Sequence, residues 1–345
     1  LAMVDVTVMG AGIFGLSVAW SCLLRGARVQ VIDPDGPAAG ASGGVVGALA
    51  PHVPENWNDK KAFQFESLIM AKAFWRGVQE VSGLSPGYAR LGRLQPIPDV
   101  HSLEMARQRA ENARALWQGK AEWQIVSVED HDWAPISPTD YLIRDTLTAR
   151  IHPRRACASL AEAIRMRGGT ITQEGTAQGM VIWATGVAGL EYLSAAHTRT
   201  VGNGVKGQGA LLHFNAAELP QIFADSVHVV PHDDGTIAIG STSERDYDDP
   251  TSTDTALDDV IARAMQAMPI LHGARVVERW AGVRPRSRSR APMLGVHPLN
   301  PGQFIANGGF KIGFGMAPKV GQVMADLMLE GMDTIPQGFR PEASY

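Results

Sequence analysis

Three glycines set the first chemical reading. Gly10, Gly12 and Gly15 form G-x-G-x-x-G directly after the run Val4-Asp5-Val6-Thr7-Val8-Met9. They stand directly before a segment in which Ile13, Leu16, Trp20, Leu23 and Leu24 share one helical face. Strand, glycine turn and helix in that order build a pyrophosphate site. The first glycine permits the tight turn, the second lets the backbone approach the phosphates, and the third lets the helix pack on the strand. The phosphates then meet free N–H groups and the positive end of the helix dipole. Gly26 ends the helix, and Arg28 to Asp33 reads as a second strand closed by an acid 18 residues after Gly15. A carboxylate there accepts hydrogen bonds from a ribose diol and repels a 2′-phosphate. In this unit the candidate cofactor-binding residues are Gly10, Gly12, Ile13, Phe14, Gly15 and Asp33.

The segment Gly40-Ala41-Ser42-Gly43-Gly44-Val45-Val46-Gly47-Ala48-Leu49 is too apolar for a linker and too rich in glycine for a regular element. Small residues there let the backbone lie against an extended cofactor and its flavin ring, which favours FAD over NAD. With this segment the sequence resembles the FAD-dependent D-amino-acid oxidase and glycine oxidase family. Three later blocks are similar to the family's in the same order. They are Val181-Ile182-Trp183-Ala184-Thr185-Gly186, then Trp280-Ala281-Gly282-Val283-Arg284-Pro285 with Pro292-Met293-Leu294-Gly295, then Gly308 to Pro318. The resemblance spans most of the chain. It implies cofactor contacts from Ala41, Ser42, Gly47, Ala48, Leu49, Ala184, Thr185, Gly186, Gly309, Phe310, Lys311 and Ile312. It also implies noncovalent FAD, since neither Cys22 nor Cys157 falls in the C-terminal segment where sarcosine-oxidase relatives attach flavin through a thioether.

Arg284 is the leading substrate residue. A planar guanidinium holds a carboxylate by two parallel hydrogen bonds and so fixes an α-carbon in place. The resemblance puts a matching arginine in that role in glycine oxidase. It sets His228 where that relative has a substrate-touching tyrosine, Lys311 where it has an arginine, and His52 on the flavin side. These four are the candidate catalytic residues. Arg286, Arg288 and Arg290 alternate after Arg284 and read as solvated charges. Pro318 near a helix start fits the first turn, and a helix beginning beside a flavin would aim positive partial charge at its pyrimidine edge.

These residues need elements to position them. After the first βαβ unit the chain reads as two helices, one holding Phe65, Leu68, Trp75 and Val78 and one holding Leu103, Ala106 and Trp117. A strand at Tyr88 to Pro96 lies between them, and another at Thr146 to Ile151 follows. A helix from Pro153, a buried strand at Gly179 to Gly186, and strands at Gln208 to Phe214, Ser226 to Pro231 and Thr236 to Thr242 come next. The chain closes with a helix near Leu257 to Met268, a strand at Phe304 to Ala306 and a final helix. The order predicts an α/β chain: a Rossmann-like FAD-binding domain interrupted by an α+β substrate domain with a mainly antiparallel sheet. The expected division is 1–52, 146–202 and 279–345 for the FAD domain, with 53–145 and 203–278 for the substrate domain. Between Thr172 and Met180 the chain is shorter than the family's usual meander, which thins the adenine-side wall.

Composition limits the alternatives. The 345 residues carry 31 basic and 35 acidic side chains, a net charge of −4, so no basic excess argues for a nucleic-acid partner. Two cysteines exclude a disulfide scaffold, a Cys-rich zinc site and an iron–sulfur cluster, and no metal site is expected. No apolar run reaches the roughly 20 residues of a bilayer span. Leu1-Ala2-Met3 reads as a remnant ahead of a native start, no targeting segment is visible, and the cytoplasm is the expected location. The resemblance implies oxidation of the C–N bond of a small amino acid or secondary amine by hydride transfer to flavin. The imine then hydrolyses, and dioxygen or another acceptor reoxidises the cofactor. Rival readings are the FAD domain type of tRNA wobble-uridine modification, a hydroxy-acid or glycerol-phosphate flavin dehydrogenase, and a cofactor-binding subunit without turnover. A homo-oligomer stays open.

Overall fold

The computed structural model describes residues 3–345; Leu1 and Ala2 lie outside the described residues. In chain order the first elements are β1 (Val6–Met9), α1 (Ile13–Leu24), β2 (Val29–Ile32), β3 (Ala48–Leu49), α2 (Asp59–Ser82), β4 (Arg93–Pro96) and α3 (Val100–Leu116). Next come β5 (Trp123–Ser127), β6 (Tyr141–Asp145), β7 (Ala149–Arg150), α4 (Pro153–Met166), β8 (Thr170–Thr172), β9 (Met180–Trp183) and α5 (Gly186–Ala196). The rest are β10 (Gly202–His213), β11 (Gln221–Ala224), β12 (Val227–Pro231), β13 (Thr236–Gly240), α6 (Thr255–Ala267), β14 (Arg275–Ser287), β15 (Met293–Val296), β16 (Phe304–Asn307) and α7 (Gly313–Ala325).

Two sheets carry the architecture. The first has the order β15-β16-β9-β1-β2-β8 and is parallel except for β15. Its central strands are short apolar runs because helices cover them: α1, α4 and α7 bury Leu16, Leu160, Ile164, Val320 and Met324 in the main core. The second has the order β14-β10-β13-β12-β11-β4-β6-β5 and is antiparallel except where β11 meets β4. Helix α6 covers one face of it through Leu257, Val260, Ile261 and Ala264. The fold is the α/β arrangement the sequence predicts.

Several stretches differ from the expectation. Residues 59–82, expected in the substrate domain, pack on the first: Phe63, Phe65, Leu68, Trp75 and Val78 of α2 join the core formed with α4 and α7. Burial of this apolar face outweighs proximity in sequence. Strand β14 crosses the expected boundary at 279, because it pairs with β10 along its whole length and carries Trp280 and Arg284 with it. The strand expected at Thr146 to Ile151 shrinks to β7. Asp145, fully buried and paired with Arg93 at 3.0 Å, accepts the N–H groups of Leu147 and Thr148 and so bends the chain. The strands on its N-terminal side, β5 and β6, are absent from the sequence reading. Pro318 lies in the second turn of α7, not the first, so the Phe314 carbonyl loses its helical donor. The short connection after β8 is tied down: Thr7 Oγ1 donates to the Gln178 carbonyl (2.6 Å), and Gln30 reaches the Thr176 carbonyl.

Candidate active site

The glycines of the first motif do three different jobs. Gly10 has φ +108°, and a Cβ there would stand 2.3 Å from the Ala184 carbonyl, so the turn after β1 and the turn after β9 touch through bare backbone. Gly12 caps α1 and faces open space apart from the Ser42 hydroxyl. A Cβ on Gly15 would lie 2.0 Å from the Gly10 carbonyl, so the first turn of α1 is pressed onto the strand end. Ser42 Oγ accepts the Ile13 N–H at 2.9 Å, which lays the Ala41–Gly43 turn across the positive end of α1. Arg154 of α4 holds that turn by donating to the Gly43 carbonyl (2.7 Å). Asp33 accepts the Ala11 N–H (2.7 Å) and the Asp35 N–H (3.0 Å), which locks its carboxylate at the end of β2.

A cavity of about 770 Å³ runs past these groups and between the two sheets. Asp33 and Asp35, just past β2 of the first sheet, line it, and so do Arg284 on β14 of the second sheet and Lys311 ahead of α7. Of the residues expected at the cofactor, Gly10, Gly12, Ile13, Phe14, Asp33, Ala41, Ser42, Gly47, Ala48, Ala184, Thr185, Gly186, Gly309, Phe310 and Lys311 form its wall. Gly15, Leu49 and Ile312 do not: Gly15 packs inward, and Leu49 is in the core. Gly40 and Gly186 meet nothing within 4 Å, so the cradle is open backbone where an extended dinucleotide would lie. The start of α7 (Gly313, Phe314, Gly315) also faces the cavity. The chain therefore fits FAD: open glycines and a helix N-terminus for the pyrophosphate, an acid for a ribose, and a second helix dipole for a flavin edge.

The far end is built on the second sheet. Trp280, Gly209, Gly240, His228 and Phe223 are paired across five strands in one row. The two glycines let Val46 settle on the sheet, since Cβ atoms on Gly209 and Gly240 would meet its Cγ2 at 3.2 and 2.6 Å. One row along, Gly282 lies under the Trp280 ring and Gly207 under the Arg284 guanidinium. Arg284 donates to Ser241 Oγ (2.6 Å) and to the Thr242 carbonyl (3.3 Å), which leaves N–H groups for a ligand. Burial draws its pKa down to about 10, with Glu244 acting against that, so it stays cationic at neutral pH.

The other expected catalytic residues are placed differently. Lys311 lies on the wall beside Arg284, exposed into the cavity. His228 is off the wall but on the same sheet face. It packs at a tilt against Phe223 (4.6 Å between centroids), and its Nδ1 is buried without a partner. Burial, then Arg93, Lys311 and Arg284, pull its pKa down to about 3, so the ring is neutral. His52 is not on the wall: Gln64 accepts its backbone N–H at 2.7 Å and also contacts its Nδ1, and burial lowers its pKa. Sequence reasoning missed Gly207, Gln208, Ser241 and Thr242. The alternation Gly207-Gln208-Gly209 inside a strand is the signal, because it strips one sheet face of side chains.

A Rossmann-type sheet with its glycine turn, a second antiparallel sheet and a cavity between them define a two-domain flavin-binding oxidoreductase. The chain matches the family described as FAD dependent oxidoreductase over residues 5–327 and belongs to it. It is 27% identical over 350 residues to the bifunctional protein ThiO/ThiG of Trichormus variabilis, covering 94% of this chain and 53% of that protein. The chain thus spans about half the length of such bifunctional relatives. It is 28% identical over 357 residues to the glycine oxidase of Pseudomonas aeruginosa, covering 94% of each. Its fold matches the crystal structure of iminodiacetate oxidase from Chelativorans sp. BNC1 with a TM-score of 0.84 at 21% identity, covering 98% of this chain and 99% of that one.

Proposed function

We propose that this chain oxidises the C–N bond of a small amino acid or secondary amine. The observation that carries the reading is Arg284 on β14, lining the same cavity as the first glycine motif, largely buried and with donors left free by its bonds to Ser241 and Thr242. A carboxylate clamped there by two charge-assisted hydrogen bonds is held against rotation, and the adjoining Cα–H is presented toward the cavity. Bound FAD would supply the acceptor for the α-hydride, the imine product would take up water to give a keto acid and release ammonia or a primary amine, and dioxygen or another acceptor would reoxidise the flavin. The neutral His228 ring, packed behind the wall on the same sheet face, adds no positive charge beside Arg284. The helix dipole of α7 favours negative charge at its end of the cavity. The names glycine oxidase, iminodiacetate oxidase and ThiO among the relatives support the same substrate class. In this reading the partner is a small molecule, the location is the cytoplasm, and Gly10 to Phe14 with Asp33, the 41–48 stretch and the 184–186 and 309–311 loops hold the cofactor. Among the described residues no helix is long and apolar enough to cross a membrane.

The test is anaerobic mixing of the FAD-loaded protein with glycine, sarcosine, D-amino acids and hydroxy acids while the visible absorbance is followed. Bleaching by amines supports the proposal, and bleaching by hydroxy acids alone overturns it.

A further inference from the structure

Arg284 is not the cavity's sole cation. The Phe310 N–H donates to the Pro285 carbonyl (3.0 Å), which staples the loop before α7 to the end of β14. Phe310 is held at φ +45°, a left-handed conformation that side chains other than glycine rarely adopt. The result is one aromatic ring with a cation from each strand of the staple: Arg286 Cζ lies 5.7 Å and Lys311 Nζ 5.6 Å from its centroid. Among the described residues neither side chain makes an ion pair or hydrogen bond, although 15 ion pairs form elsewhere. Glu244, the acid acting on Arg284, is already engaged by Thr242, Gln208 and Lys206. Burial, then Arg284 and Arg286, lower the pKa of Lys311, so the three cations repel one another. A chain with a net charge of −4 thus gathers uncompensated positive charge at the substrate end of its cavity. One carboxylate on Arg284 leaves most of that charge unanswered.

We infer that the substrate is an amine carrying two acidic groups, the first held by Arg284 and the second by Lys311, with Arg286 adding to the field from behind Phe310. This rests on the amine-oxidation reading and narrows its substrate class. The tRNA reading shares the need for an anion site but calls for a long basic surface, which this local cluster is not.

The test compares matched pairs on the FAD-loaded protein: sarcosine against N-(carboxymethyl)glycine, and D-alanine against D-aspartate. At least one diacid is expected to exceed its monoacid partner by tenfold or more in kcat/KM. That ratio should fall at least fivefold in Lys311→Met and partway in Arg286→Gln. A readout without turnover is calorimetric binding of thiodiacetate against (methylthio)acetate, where the diacid should bind at least tenfold tighter, and less so in both variants. Equal binding of the two thioethers, or a preference untouched by Lys311→Met, overturns the diacid site. Tight thiodiacetate binding without bleaching by any amine would leave the site standing and remove the amine-oxidation reading instead.

Discussion

Gly207 and Arg284 compete for one volume on the second sheet: a Cβ on Gly207 would stand 1.8 Å from Arg284 Nη2. The guanidinium lies flat over bare backbone, and from there it reaches Ser241 Oγ and the Thr242 carbonyl. Gly207→Ala must lift it and break at least one of these bonds, at a cost of about 1–3 kcal/mol. The expected outcome is a fall of roughly tenfold to a hundredfold in kcat/KM, mostly through KM. FAD content should stay at the wild-type level, because Gly207 is absent from the cavity wall. Steady-state kinetics with the cofactor absorbance as a control check both halves.

Replacing Arg284 itself separates charge from shape. Lysine keeps the cation but loses the fork that matches a carboxylate. Arg284→Lys is expected to raise KM for an amino acid about tenfold or more, and Arg284→Ala to cost roughly 2–5 kcal/mol in kcat/KM. Rescue of Arg284→Ala by added guanidinium would mark the lost interaction as ionic rather than structural.

The first motif makes a sharper prediction about cofactor binding than about chemistry. A Cβ on Gly15 would meet the Gly10 carbonyl at 2.0 Å and Val8 Cγ1 at 3.2 Å, and both belong to the packed end of β1. Neither is the free end of a flexible side chain. Gly15→Ala is therefore expected to push α1 off the strand, to purify with little or no FAD, and to lower the melting temperature of the apoprotein. A variant that keeps a full flavin spectrum would contradict this geometry.

How much of this was legible in the residues depends on whether the signal is local. The 10–15 motif, the acid at Asp33 and the small-residue stretch declare themselves because each is one backbone requirement written in consecutive residues. Arg284 was legible through its block. His52 was misplaced because a short-range pattern does not reveal that Gln64, a helical turn into α2, takes up its backbone N–H and Nδ1. The position of α2 was hidden for a similar reason: its apolar stripe says that it packs, not on which core. Strands β5 and β6 carry no clean alternation, since their residues are mostly half-buried near the sheet's edge. Gly207 and Gly240 show their purpose only when β10, β13 and β14 lie side by side.

Buried neutral histidines predict an acid-labile fold. His232 is fully buried, hydrogen-bonded through Nε2 to the Val45 carbonyl (2.9 Å), and tilted against His152 at 4.6 Å. Burial, opposed by that hydrogen bond, brings its pKa down to about 4, and His228 is lower still at about 3. The unfolded chain titrates near 6.5. Below that value it binds protons that the folded chain refuses, so stability is present at pH 7 and declines as pH falls toward 4. For His232 alone the loss between pH 7 and pH 5 is about 2 kcal/mol. Urea midpoints at pH 7, 6 and 5 should fall steadily, and His232→Gln should flatten the slope. Ordinary carboxylates stay ionised across most of this window, so they do not account for the trend.

The last prediction concerns the underside of the arginine's strand network. Gln208 is fully buried, and its Nε2 donates to Glu244 Oε1 (3.0 Å) and Asp254 Oδ1 (2.9 Å), while its Oε1 accepts the Asp254 N–H (2.9 Å). Its backbone N–H goes to Thr242 Oγ1 (2.8 Å). Both ends of residues 242–254 are thus held by one amide, and Pro250 and Thr251 within that loop line the cavity. The same loop presents the Thr242 carbonyl to Arg284. Gln208→Leu keeps the size but takes one donor from each of two carboxylates and leaves the Asp254 N–H without its acceptor, at a cost of about 1–3 kcal/mol. A loosened loop should raise KM for an amino acid several-fold, with a smaller change in kcat and no loss of FAD. Gln208→Glu puts a third carboxylate beside Glu244 and Asp254. Its defect should be deeper at pH 8 than at pH 6, because a raised pKa in that cluster lets one proton replace the missing N–H as pH falls. Equal defects at both pH values would mean that Gln208 only fills space.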